Sequence, residues 1–383
     1  MHAWLIVVRD AERPGSKLTK KLLVVSAVVG LLFSLAGSTP AHDEKNSGQP
    51  GEKIERSLPV DAHAIVTLCV ASGALKVRGW DKNEIRVRAL GAQHVDFRRI
   101  DKTKDTSKPP TRVDVMVLNR AGLANPRLDC QAFADVDMEV PAGATVQVQT
   151  RDGDIAIAGV AGAYAGSQSG DITIERAAKL VEAGSVGGSI SLKDSSGRIN
   201  LSSAGGWIEV VNVRPANAED TFEVGTVSGD IQLDRVSVRK VTAKTVNGTV
   251  TMTGPLAKSG WYGFTNMTGD VVLALPADAS FQLQAKVSER HDIVSDFKLT
   301  YVNDPPPPPT PQPSPRVHVM PKVQVTPKAK AKPPSGPVVA PIIVERQVTP
   351  APFVLRRVNA ICGSGDATIS VNSFGGTVRL KKI

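Results

Sequence analysis

The chain has 383 residues, 41% hydrophobic but only 4% aromatic, with 33 Gly and 27 Pro. That length allows two or three domains of about 150 residues, or one long repetitive domain, and the scarcity of rings argues against a core built from large aromatic side chains. Of the net charge of +9, residues 1–21 carry +3 and residues 305–352 carry +5, leaving +1 for the rest, so the composition speaks against a nucleic-acid reader, which would concentrate basic residues on its folded face.

The N-terminal stretch predicts export. Lys17, Lys20 and Lys21 precede an apolar run from Leu22 to Gly37, followed by small residues through Ala41. A basic region, a short apolar stretch and a small-residue exit describe a secretory signal peptide over residues 1–41, with a retained N-terminal anchor as the alternative. The apolar run is short for a membrane span, which needs about 20 residues. Membrane attachment is expected only through this segment if it is not cleaved, and no lipid anchor is expected because Ser38 stands where a lipoprotein box needs Cys. An exported chain meets an oxidising compartment. Its three cysteines, Cys69, Cys130 and Cys362, form no C-x-x-C pair, so a zinc ribbon or thioredoxin-type motif is not supported. Cys69–Cys130 is the favoured disulfide, since both lie in the N-terminal part; buried free thiols are the alternative.

From residue 150 a short pattern recurs: a hydroxyl residue, two residues, Gly, then alternating apolar residues. It runs through Thr150…Gly153, Ser167…Gly170, Ser185…Gly188, Ser203…Gly206, Thr226…Gly229 and Thr245…Gly248. Thr265…Gly269 reads as a variant with one extra residue. The glycines are 17, 18, 18, 23, 19 and 21 residues apart. After each Gly, pairs such as Ile155/Ile157, Ile172/Ile174 and Ile190/Leu192 have period two, which is a strand with one buried face. A second alternating stretch leads into each hydroxyl, as in Ile199, Leu201, Ser203. Each unit thus supplies two short strands and two turns. Alone it cannot bury its apolar face, but stacked at the inter-strand spacing of about 4.8 Å the units form a continuous stripe. The fold class is therefore all-β: a single-stack β-solenoid with two short strands per coil of about 18–20 residues. An antiparallel sandwich would not require the same residue type at the same phase of every unit.

The turn glycines Gly153, Gly170, Gly188, Gly206, Gly229, Gly248, Gly269 and, near the C-terminus, Gly365 are expected to supply positive φ. The column Thr150, Ser167, Ser185, Ser203, Thr226, Thr245 reads as a structural ladder at the edge of the core, each hydroxyl bonding to the rung beside it. As nucleophiles they lack a base. Asp154, Asp171, Asp230, Asp270 and Asp366 share a phase after their glycines. Stacked carboxylates about 5 Å apart repel by roughly 0.8 kcal/mol in water, which a surface tolerates without a metal.

Residues 305–352 hold 16 of the prolines. Proline lacks the N–H a ladder needs, so this is a disordered, extended insertion before the last coil, with basic residues that attract acidic polymers. Residues 353–383 are expected to fold back and cap the solenoid, with Cys362 on the rung of the hydroxyl ladder.

The turn units, together with Ser72-Gly73-Ala74-Leu75-Lys76-Val77, Val140-Pro141-Ala142-Gly143, Leu275-Pro276-Ala277-Asp278-Ala279-Ser280-Phe281 and Gly365-Asp366-Ala367-Thr368-Ile369, resemble the bacterial putative-adhesin domain family, a domain of unknown function with β-solenoid-like repeats. The resemblance covers about residues 60–304 and 353–383. It implies surface interaction and brings no catalytic residues.

No zincin helix, nucleophile elbow, Walker loop or Rossmann fingerprint occurs. No cofactor, metal or catalytic residue is therefore expected. The reading is an exported, non-enzymatic cell-envelope protein, at the periplasm or cell surface, whose partner is an unknown envelope polymer or protein. A carbohydrate-active enzyme on a parallel β-helix and a scaffold or sensor subunit using the proline-rich arm are the alternatives. Clustered titratable groups in one groove would favour the enzyme.

Overall fold

The computed structural model describes residues 53–101, 107–119, 130–302 and 355–383. The export signal or anchor over residues 1–41 and the proline-rich stretch 305–352 lie outside them. Among the described residues there is no helix, and every strand belongs to one of two sheets, 13- and 14-stranded. The N-terminal end holds β1 (Lys53–Pro59), β2 (Ile65–Ser72), β3 (Leu75–Trp80), β4 (Glu84–Leu90), β5 (His94–Arg99), β6 (Arg112–Leu118) and β7 (Asp135–Pro141). The middle is seven two-strand rungs: β8 (Thr145–Asp152) with β9 (Ile155–Ala158), β10 (Gly162–Ser167) with β11 (Ile172–Glu175), β12 (Leu180–Ser185) with β13 (Ile190–Lys193), β14 (Arg198–Ser203) with β15 (Ile208–Val213), β16 (Thr221–Ser228) with β17 (Ile231–Val236), β18 (Lys240–Asn247) with β19 (Val250–Thr253), and β20 (Trp261–Thr268) with β21 (Val271–Leu275). The C-terminal end holds β22 (Phe281–Ser288), β23 (Ile293–Ser295), β24 (Thr300–Tyr301), β25 (Leu355–Cys362), β26 (Ala367–Ser373) and β27 (Val378–Lys382).

Successive middle rungs pair in parallel and in register. Ile155, Ile172, Ile190, Ile208, Ile231, Val250 and Val271 are direct neighbours along the 13-stranded sheet, as are Ile157, Ile174, Leu192, Val210, Leu233, Met252 and Leu273. All are buried. Burying each such side chain stabilises by about 1.5–3 kcal/mol, so the two columns are a large part of the hydrophobic stabilisation of the stack.

The inner columns of the 14-stranded sheet are less uniform. Ala163, Val181, Ile199 and Phe222 follow one another in register, and Tyr262 and Phe264 enter two rungs later. Tyr262, Phe222, Phe264 and Phe281 are the largest fully buried side chains. The low aromatic content thus does not exclude rings from the core; the few available gather in its C-terminal half.

Insertions fall at one corner only. The seven residues between β15 and β16 form a turn in which Asp220 Oδ2 accepts from the backbone N–H groups of Ala216 (2.7 Å) and Asn217 (2.6 Å). Those between β19 and β20 are pinned by Ala257 N–H donating to the Tyr262 hydroxyl at 2.6 Å. This corner also carries a column invisible in the sequence pattern. Gly159, Arg176, Asp194, Asn212, Arg235 and Gly254 occupy equivalent positions and all have positive φ; the residue after each of the first five (Val160, Ala177, Ser195, Val213, Val236) is buried, whereas Pro255 after Gly254 is exposed.

At both ends the rungs leave chain order. The β2–β3 rung lies between β6–β7 and β8–β9, and the β26–β27 rung lies between β20–β21 and β22–β23. Each end is closed by antiparallel strands: β4 on β7 and β5 on β6, then β25 on β22. Residues 355–383 therefore do not all close the stack: β25 lies antiparallel on β22 at its end, but β26–β27, the last rung in chain order, is an interior one in space.

Candidate functional site

The corner joining each 14-stranded-sheet strand to its 13-stranded-sheet partner contains most of the residues singled out by sequence. Ser167, Ser185, Ser203, Thr226 and Thr245 stand in one register column, and Thr150 precedes them. All six are buried. Ser185 Oγ donates to Gly170 O (3.2 Å) on the previous rung and accepts from Gly188 N–H (2.9 Å) on its own; Ser203 repeats this with Gly188 and Gly206, both at 2.9 Å. Ser167 does the same with Gly153 and Gly170. Thr226 and Thr245 donate to Gly206 O and Gly229 O. Thr150 reaches Ala71 O at 3.5 Å. These hydroxyls are engaged in backbone bonds.

The glycines of this corner share a cause beyond the expected positive φ, which Gly153, Gly229, Gly248 and Gly269 do have. Four of them, Gly170, Gly188, Gly206 and Gly376, do not have positive φ. What they share is a stacking contact: a Cβ built on Gly188 would land on the carbonyl of Gly170, and one on Gly170 would land on that of Gly153. The backbones approach too closely for any side chain.

Three placements differ from the sequence reading. Asn266, not Thr265, continues the ladder, and Ser373 follows it, so the unit ending at Gly269 has no extra residue. Gly376 occupies the glycine column; Gly365 has positive φ but lies in the connection from β25 to β26, and Asp366 leaves the aspartate column with it. Cys362 is opposite Phe281, while the ladder residue Ser373 is opposite Val287 at the other end of the strand. Cys362 is a buried free thiol that donates to Ala279 O, and burial pushes its pKa up. Cys69 and Cys130 form a disulfide.

The aspartates act along the stack. Asp154 Oδ1 accepts from Asp171 N–H (2.9 Å), Asp171 from Ser189 N–H (2.7 Å), Asp230 from Thr249 N–H (2.8 Å) and Asp270 from Thr377 N–H (2.9 Å). Each carboxylate ties its rung to the next. Among the described residues, no three His, Cys, Asp or Glu side chains are grouped as a metal site.

Two solvent-facing features remain. From Ser185 onward the residue after each ladder position forms an apolar stripe: Val186 (57% exposed), Ala204, Val227, Val246 and Met267 (47% exposed) on successive rungs. Beside it lies the outer face of the 14-stranded sheet. From β8 to β16 this face mixes signs and gaps, with Glu182, Glu223 and Arg198 among Gly162, Gly166, Gly184 and Gly225. Tyr164 is half-buried here, and burial followed by the nearby Glu182 raises its pKa.

From β18 outward the character changes. Lys240, Trp261, Thr368, Gln282 and Ile361 form one register column; Thr242, Gly263, Ser370, Gln284 and Asn359 the next; Lys244, Thr265, Asn372, Lys286 and Arg357 the third. This surface holds four cations and no carboxylate. Trp261 is 40% exposed, and its indole lies along the strand over Gly263, where an added Cβ would run into the benzo ring. The sequence alone could not single out Trp261, because its value depends on neighbours contributed by strands about a hundred residues later.

Residues 135–300 match the model of the family described as Toastrack DUF4097. The resemblance read from the turn units is shown over that segment. The crystal structure of a putative cell adhesion protein from Clostridium sporogenes is similar at 11% identity, over 87% of this chain and 100% of that chain, with a TM-score of 0.17; a likeness at that score carries no argument about function. No curated protein matches the chain.

Proposed function

We propose that this chain, whose residues 135–300 match the Toastrack family model, is an exported, non-enzymatic module that presents a repetitive β-solenoid surface for interaction at the cell envelope. The observation that carries the reading is the outer face of the stack. It repeats polar side chains at fixed register over many rungs, and among the described residues no three His, Cys, Asp or Glu side chains are grouped as a metal site. The hydroxyls best placed by sequence to be nucleophiles are consumed by backbone bonds within the ladder. The Cys69–Cys130 disulfide supports an oxidising compartment, the periplasm or the cell surface. The partner is an envelope polymer or an envelope protein.

The test is retention of the full chain on a panel of immobilised envelope polymers and envelope-protein extracts, run beside a turnover screen of the same polymers. Saturable retention without new chain ends in the polymer is expected. Cleavage products would overturn the non-enzymatic assignment, and absence of retention throughout would overturn the interaction module itself.

A further inference from the structure

We infer that the outer face of the 14-stranded sheet across β18, β20, β26, β22 and β25 binds an acidic polysaccharide, with Trp261 stacking on a sugar ring and the surrounding cations pairing with its carboxylates. This rests on the interaction-module reading and gives it a substrate class.

The argument starts from Trp261. Its indole presents a broad apolar face with a polar N–H edge, and that face suits the apolar C–H side of a pyranose. The absence of a side chain at Gly263 lets the ring lie down along the strand instead of standing out. The rows on either side carry short hydroxyls and amides, such as Thr242, Ser370 and Gln284, which hydrogen-bond sugar hydroxyls in either direction.

Charge then selects the class of glycan. Lys240, Lys244, Lys286 and Arg357 ring this area; the acidic Glu223 of β16 stands at its edge, in register with Thr242, and among the described residues none of the four cations forms an ion pair. Lys244 and Lys286 lie in one column three rungs apart, about 14 Å at the usual inter-strand spacing. A polymer with a carboxylate on every sugar has a charge within reach of each cation in almost any register. A single-stranded nucleic acid would ask for several stacking rings in succession, and this face offers one. The region from β8 to β16, on the same sheet, carries Glu182 and Glu223 and lacks an exposed Trp, so the feature belongs to these rungs and is not general to the solenoid.

Titration of the full chain with polygalacturonate, dextran and an oligothymidylate tests this. Polygalacturonate binding is expected to weaken about tenfold in Trp261→Ala and about tenfold in the double variant Lys244→Glu/Lys286→Glu. It should also weaken as salt rises from roughly 0.05 to 0.5 M. Trp261→Phe retains a ring and should stay within a few-fold of the parent, and Arg198→Glu on the other half of the sheet should change nothing; thermal midpoints near the parent value certify that each variant is folded. Undiminished binding in the Trp261 and lysine variants would place the site elsewhere, residues 305–352 included, and overturn the inference. Equal binding of dextran would remove the role of charge, and tighter binding of the oligothymidylate would make it a nucleic-acid face. Retention on other envelope partners without polygalacturonate binding would sink this inference and leave the interaction module standing.

Discussion

From β8 to β21 every rung lies against the one before it in the chain, whereas at both ends a rung from elsewhere in the sequence is clamped between two consecutive ones. The two clamps are built alike. The β7–β8 link, residues 142–144, steps over the β2–β3 rung, and the β21–β22 link, residues 276–280, steps over β26–β27. Both contain a turn that begins at proline: Ala144 N–H donates to Pro141 O and Ala279 N–H to Pro276 O, each at 2.9 Å. A step of two rungs is only about 10 Å, which a few extended residues span. The contrast teaches that a parallel rung has two usable edges, and that short connections place a rung beside its predecessor only when nothing else fills the slot. The recurring V-P-A-G-A and L-P-A-D-A segments are these stepping links.

The ends differ in one respect. Cys69 on the clamped β2 is bonded to Cys130, at the entry to β7, while Cys362 at the other end is free. The first way to break the comparison is to empty a clamp. A chain ending after Asp366 lacks β26–β27, and amide exchange should show β22, β23 and β25 unprotected while β10 to β17 keep their protection. Survival of β22 protection would mean that the stepping link closes the gap unaided. Next in size, Cys69→Ala/Cys130→Ala should lower unfolding free energy by about 4 kcal/mol, given a closed loop with a sequence separation of 61. Denaturant titration would check it, and a loss under 1 kcal/mol would show that the clamp alone orders the N-terminal end.

Within the middle, two glycines four residues apart give a sharper contrast. Gly188→Ala drives a methyl into the Gly170 backbone and should cost about 3 kcal/mol or more. Gly184→Ala meets only the Ser202 hydroxyl at 3.3 Å and should be nearly neutral by thermal unfolding. Similar losses would mean that stacking distance is not what excludes side chains from the column. Asn266 marks the junction between the ordered middle and the C-terminal clamp. It is fully buried, and its Oδ1 has no hydrogen-bond partner. Asn266→Thr, which extends the ladder from Thr245, should raise stability by about 1 kcal/mol, and a destabilised variant would show that the two bonds made by Nδ2 matter more. The smallest effect is expected at the second corner: Arg176, at φ 53°, carries a side chain where Gly159 and Gly254 do not. Arg176→Gly should stabilise by roughly 0.5 kcal/mol, relief of left-handed strain outweighing the entropy of glycine. A loss of stability would assign weight to its exposed ion pair with Glu175.

Much of the middle was legible because a one-residue slip would turn Ile172 and Ile190 outward, so the period-two pattern and the hydroxyl–Gly spacing admit a single register. Thr265 misleads in the sequence because the column accepts any short hydrogen-bond donor, and Asn266 serves. Positive φ accounts for Gly153, Gly229, Gly248 and Gly269, but the contact that also requires Gly170, Gly188 and Gly206 lies between rungs and is not visible within one turn. The surface around Trp261 was not legible at all.

The amino-acid sequence by itself determined the repeating unit, its two strands, its buried faces and the phase at which like residues meet, because these follow from local periodicity and the cost of exposing a half-apolar strand. Only the tertiary structure decided the order of rungs at the ends, and with it the side chains that surround Trp261. Every rung offers the same hydrogen-bonding edge on both sides, so backbone chemistry does not distinguish the neighbour in the chain from one a hundred residues away. Packing and the reach of two short proline-led links make that choice.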